Sequence, residues 1–119
     1  MKLGDFAETT RVYSDTHRAE FETLTGQNAA AGTVPEPLIA AMFSYLLGVE
    51  LPGGGTNYLK QSLSFVAQAP LDEPLTARVE ITRLRPEKHL VDLATTCRTG
   101  SGTLVCEGRA LVLAKDVGA

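Results

Sequence analysis

The sequence predicts an α+β fold in which a curved antiparallel sheet wraps around one central helix. Residues 38–47 (Leu-Ile-Ala-Ala-Met-Phe-Ser-Tyr-Leu-Leu) form a helix with no polar face, and such a helix has to be covered by protein. It leads through Leu51-Pro52-Gly53-Gly54-Gly55-Thr56 into the strand-like stretch 57–65, and three more strand-like runs follow. Folding those strands round the helix is the economical way to hide it. The wrapping also sets the unpaired backbone N–H groups of the helix N-terminus where a polarised carbonyl can meet them.

The elements follow in order. Residues 9–13 read as a short strand, and Ser14 or Asp15 then caps a helix that runs to about residue 24, with Phe21 and Leu24 as its apolar contacts. Gly26 closes it. Residues 27–34 are small and rich in turn formers, and they deliver the chain to Pro35-Glu36-Pro37. Pro37 suits the first turn of the central helix, where a missing N–H costs nothing. Gly48 and Pro52 mark its far end.

In 57–65, Leu59, Leu63 and Phe65 alternate with Lys60, Ser62 and Ser64, which places Gln61 on the inward face. In 75–82, Leu75, Ala77, Val79 and Ile81 alternate with Thr76, Arg78, Glu80 and Thr82. Arg85-Pro86-Glu87-Lys88 turns the chain into a strand over 89–98, and Thr99-Gly100-Ser101-Gly102 makes the next hairpin. The last strand, 103–114, carries Gly108 at its middle, where a missing side chain marks the close approach of another element, expected to be the central helix. Residues 115–119 are expected to fray.

At 119 residues the chain reads as a single domain spanning 1–119. A net charge of −3 with dispersed Lys and Arg argues against nucleic acid as a partner. The longest apolar run, 37–47, is far below the roughly 20 residues that span a bilayer, so no membrane partner is expected. Residues 1–8 lack the apolar core of a signal peptide, which points to the cytoplasm. There Cys97 and Cys106, on adjacent strands, are expected as reduced packing residues. The two His and two Cys are too dispersed for a metal site. Gly53-Gly54-Gly55 follows a helix and lacks a Lys, so it is not a phosphate loop.

Several stretches carry a resemblance to a known family. They are residues 38–48, Leu51-Pro52-Gly53 with Gly55, Tyr58-Leu59, residues 61–65, Asp72-Glu73, Leu75-Thr76-Ala77, Val79-Glu80-Ile81, and Glu107-Gly108 with Ala110. Phe21 and Leu24-Thr25-Gly26 add a weaker match. On these the sequence resembles the MaoC-like hydratases, specifically the short (R)-specific enoyl-CoA hydratases, from about residue 9 to residue 113. The resemblance implies the hot-dog fold and a homodimer whose sheets join edge to edge. It further implies a pocket for an acyl thioester of coenzyme A or an acyl carrier protein, and reversible hydration of a trans-2-enoyl thioester without a cofactor. It sets Pro37, Leu38, Tyr58 and Gln61 against the substrate.

Hydration in that family uses an Asp and a His, in a motif Asp-x-Asn-Pro-x-His after the first helix, to activate water and protonate the α-carbon. Here Gln27 stands at the Asp position, Asn28 follows, and Ala29-Ala30-Ala31-Gly32 fill the rest. Only residues 27–34 separate Gly26 from Pro35, so the overhanging segment that follows the His in the family reads as deleted. A carboxamide does not accept and return a proton as a carboxylate and an imidazole do.

Other groups remain as candidates. Glu36, at the start of the central helix, is either a cap favoured by the helix dipole or a carboxylate acting on the thioester. Gln27 and Asn28 either end a helix or hydrogen-bond an acyl group or a water. His17 and His89 read as surface residues, and Ser44 and Tyr45 as groups that satisfy local carbonyls. Lys60 and Arg78 either face solvent or meet the phosphates of coenzyme A. Three functions are therefore open: a hydratase-like enzyme with substitute acid/base groups, a thioesterase using Glu36, and a non-catalytic acyl-thioester binder.

Overall fold

The computed structural model describes residues 1–28 and 32–115. Strand β1 (Phe6–Val12) leads to helix α1 (Asp15–Thr25), and α2 (Glu36–Tyr45) passes into a π-helical turn (Leu46–Glu50). Strands β2 (Asn57–Phe65), β3 (Pro74–Arg85), β4 (Leu90–Thr99) and β5 (Leu104–Leu113) complete the chain. All strands pair antiparallel in one sheet of order β1-β3-β4-β5-β2, so β1 and β2 are its edges.

The alternating patterns set the inner face. Leu75, Ala77, Val79 and Ile81 of β3 are buried, as are Val91, Leu93 and Cys97 of β4 and Cys106, Ala110 and Val112 of β5. Against them lie Ile39, Met42, Phe43, Leu46 and Leu47 of the central helix. Each side chain of that size stabilises by about 1.5–3 kcal/mol when fully buried, which makes this seam the main support of the fold. Cys97 and Cys106 are free, buried and directly opposite each other, as the sequence anticipates.

Four expectations need correction. The wrap is one-sided: Pro37, Ala41, Ser44, Tyr45, Gly48 and Val49 form an exposed stripe along the helix, because a five-stranded sheet curves past only one flank. The helix also does not stop at Gly48, which lies inside the π-helical turn; Leu51 N–H closes that turn on the Leu46 carbonyl at 2.8 Å. In β2 the register slips between Tyr58 and Lys60, so Leu59 is pushed outward and stands 50% exposed. Finally, the element against Gly108 is β2, not the helix: a Cβ at Gly108 would strike the Ser62 carbonyl.

α1 is held by its caps and by ion pairs along its surface, not by burial. Ser14 N–H donates to His17 Nδ1 at 2.9 Å, Ser14 Oγ lies 3.1 Å from the same nitrogen, and Gly26, at φ 68°, returns its N–H to the Glu22 carbonyl. His17 is thus a capping residue, fixed further by an edge-on contact with the Tyr13 ring. None of the eleven residues of α1 is buried, and Leu24, expected as a packing contact, is 85% exposed. No helix is long and apolar enough to cross a membrane among the described residues. Residues 29–31 and 116–119, which include the alanines of the shortened motif and most of the expected frayed tail, lie outside the described residues.

Candidate functional site

A cleft of about 280 Å³ opens at the head of the central helix. Three segments build it. The turn after α1 supplies Gln27 and Asn28, delivered by the left-handed Gly26; the helix head supplies Val34, Pro35, Glu36, Pro37 and Ile39; the stretch after β2 supplies Ala67, Gln68 and Ala69. Backbone bonds stitch the last two together, with Val34 N–H donating to the Ala69 carbonyl at 2.8 Å and Thr33 bridging to Pro70. Phe21 and Phe65 add apolar wall.

The rim is polar. Gln27, Asn28, Glu36 and Gln68 are all exposed, and none of their side chains has a hydrogen-bond or ion-pair partner among the described residues. Four open polar groups around an apolar floor are what a small polar-headed, apolar-tailed ligand requires. Gln68 is the member that sequence reasoning missed. It lies beyond the last alternating residue of β2, and only the pairing of 33–34 with 69–70 brings it beside Glu36.

The backbone donors at the helix head are fewer than expected. Pro37 has no N–H, and Leu38 N–H is already given to the Pro35 carbonyl at 3.0 Å. Glu36 N–H has no backbone partner among the described residues. The carboxamides of Gln27, Asn28 and Gln68 are therefore the main donors available to a ligand oxygen. Beneath the cleft, burial pushes the Cys106 thiol up to about 11, and the charges of Glu36 and Glu107 push in the same direction.

The remaining sequence candidates lie elsewhere. Leu38 faces a groove between the two helices, with Tyr13, His17, Phe21 and Leu24. Tyr58 stands half-exposed on β2, where burial raises its phenol above the ordinary range and the Ser44 hydroxyl opposes the shift. Gln61 shares the inward face with its register partner Ala110 but is exposed; with Lys60, Ser62, Asp92 and Arg109 it borders a separate depression of about 460 Å³. Arg78 is engaged on the outer face, 2.8 Å from Glu80 and with its guanidinium over the Phe6 ring. His89 sits in the β3–β4 turn at φ 57°, among Pro86 and Leu90. No group of three His, Cys, Asp or Glu side chains arranged to hold a metal is present among the described residues.

No family model matches the chain. It is 45% identical over 75 residues to an (R)-specific enoyl-CoA hydratase of Aeromonas caviae, a match covering 63% of this chain and 56% of that protein. A 3-hydroxybutyryl-CoA dehydratase of Methylorubrum extorquens is 36% identical over 110 residues, covering 90% of this chain and 67% of that one. The solved (R)-hydratase of A. caviae involved in PHA biosynthesis superposes with a TM-score of 0.87 at 32% identity, over 94% of this chain and 96% of that chain. The chain spans about half the length of the first curated relatives it matches, 56% and 52%.

Proposed function

Because the chain belongs to the MaoC-like family of (R)-specific enoyl-CoA hydratases, with their hot-dog fold, we propose that its cleft binds an acyl thioester and hydrates an enoyl chain poorly. The thioester is carried by coenzyme A or an acyl carrier protein. One observation supports the reading above all: four unpaired polar side chains converge on an apolar-floored cleft at the head of the central helix.

Hydration needs a base for water and a donor for the α-carbon. Gln27 replaces the Asp, and neither imidazole reaches the cleft: His17 is committed to the α1 cap and His89 to a distant turn. In this reading Gln27, Asn28 and Gln68 hydrogen-bond the acyl head, Glu36 is the one ionisable group facing it among the described residues, and Pro37 shapes the rim. Leu38 supports the helix head from the α1 side.

The protein works as a cytoplasmic homodimer. The open stripe of the central helix meets the edge strand β2 where Ser44 hydrogen-bonds Tyr58, and Tyr45, Val49, Tyr58 and Leu59 are exposed apolar side chains on these two elements. Tyr58 and Gln61 belong to this seam.

Thermal protection by butyryl-CoA tests the reading. A ligand at a hundredfold excess over its Kd adds about 2.7 kcal/mol of stability, a readily measured rise in Tm. Free coenzyme A should protect less than the thioester, and crotonyl-CoA should be hydrated far more slowly than by a hydratase with the Asp/His pair. Absence of protection by any acyl-CoA would refute it.

A further inference from the structure

We infer that the acyl tail leaves the cleft sideways and lies in the groove between α1 and α2, which makes this a site for medium-length chains of about eight to ten carbons. The inference rests on the reading above, since it requires the thioester head in the cleft. It follows from where the cleft is closed and where it stays open.

The inward route is shut. Val34, Ile39 and Ala69 line the cleft at 4%, 1% and 2% exposure, and Phe43, Leu46 and Leu47 further along the helix are fully buried. A tail pushed between helix and sheet would overpack that core. The lateral route is open. Phe21 of α1 borders the cleft and also a groove of about 170 Å³ lined by Tyr13, Leu24, Thr25 and Leu38. His17, Phe21, Leu24 and Thr25 lie three or four residues apart on one face of α1, and that face looks across the groove at Leu38 of α2.

The groove is apolar and unfilled. Phe21 and Leu24 are the only large apolar side chains of α1, both stand on this face, and neither is buried. Across from them Leu38 and Tyr13 pack on the core and give the groove a fixed wall. With His17 tied into the α1 cap, Glu20 is the acidic group at its border, and a carboxylate there repels the head of a free fatty acid but not a hydrocarbon tail. A methylene takes about the 30 Å³ that a water takes in the liquid, so the groove accepts about five or six of them. The cleft, at about 280 Å³, accepts the thioester and the first few carbons. Phe21 is then the threshold that the tail crosses, and Leu24 the far wall that sets its length.

Calorimetric affinities along the series butyryl-, hexanoyl-, octanoyl- and dodecanoyl-CoA test the inference. Each fully buried methylene strengthens binding about fourfold, so octanoyl-CoA should bind at least about tenfold more tightly than butyryl-CoA even in a groove open on one side. The gain should end before dodecanoyl-CoA. Leu24→Gln should remove most of the octanoyl advantage while butyryl-CoA affinity and the melting temperature stay at wild-type values. Leu3→Gln, the same kind of change at a residue 66% exposed and outside the groove, should leave the whole series as it was. Octanoate alone should bind far more weakly than octanoyl-CoA. Octanoyl-CoA no tighter than butyryl-CoA overturns the inference and leaves the binding reading intact. An octanoyl advantage that survives Leu24→Gln, or octanoate that binds as well as octanoyl-CoA, does the same. If no acyl-CoA binds, the two fall together.

Discussion

Gly108 of β5 lies directly against the Ser62 carbonyl of β2, closer than any side chain allows. The two strands meet at Leu63 opposite Gly108, next to the buried Ala110 that closes the inner face. Gly108→Ala must therefore push β2 off the sheet locally, at a cost of about 1–3 kcal/mol for overpacking. Gly54→Ala is the control, because its Cβ meets nothing within 4 Å and its φ is not in the left-handed region. Urea midpoints of the two variants should separate clearly, with Gly54→Ala close to the wild type.

The facing thiols of Cys97 and Cys106 predict a pH dependence of stability. Burial pushes each up to about 11, and the neighbouring charges add to it. In the unfolded chain a thiol ionises near 8.5, so the folded state disfavours the thiolate. Their contribution is fully present below about pH 8.5 and is lost as pH rises toward about 11. Tyr13 and Tyr58, also raised by burial, extend the loss to higher pH. Replacing both cysteines by Ala should lower stability at neutral pH but flatten its fall between pH 8.5 and 11, as read by denaturant titrations across that range.

The sheet was legible because its inner residues follow period two without interruption: Leu75, Ala77, Val79 and Ile81 are read from the pattern and all lie in the core. Where a bulge intervenes the pattern misleads, and Leu59 reads as inward but points out. The central helix misled differently. Its apolar composition predicts burial on all sides, whereas composition states that a surface must be covered and not that this chain covers it. At the site, the local run Pro35-Glu36-Pro37 located the helix head, but Gln68 arrives through a long-range backbone pairing that no local periodicity encodes.

Helix α1 should be the least protected regular element. It buries no residue, and an isolated eleven-residue helix is marginal in water, so its caps and its Asp15–Arg18–Glu22 ion pairs carry it. Leu24→Gln should change global stability by no more than about 0.5 kcal/mol. Ser14→Ala and His17→Ala should instead speed amide exchange within α1 while the core strands keep their protection. Hydrogen exchange resolved by residue checks both, and slow exchange throughout α1 in the wild type would contradict the picture.

The last prediction concerns what covers the open flank. Val49, 60% exposed on the helix stripe, Leu59, 50% exposed on the bulge of β2, and the half-exposed Tyr45 and Tyr58 are the large apolar side chains these two elements leave open. Arg11 of β1 lies over Tyr45, its guanidinium 5.4 Å from the ring centre, and Ser44 beside it hydrogen-bonds Tyr58 of β2. β2 has an unpaired backbone edge, and an edge beside an apolar patch is the arrangement that two copies of one chain cover by pairing with each other. Sedimentation equilibrium should give twice the chain mass for the wild type. Leu59→Arg places two like charges across the two-fold seam and should yield monomers with the fold retained, as circular dichroism reports. Val49→Asp should weaken the dimer as well. A wild-type monomer at tens of micromolar would refute the dimer, and a Leu59→Arg protein that remains dimeric would move the interface elsewhere.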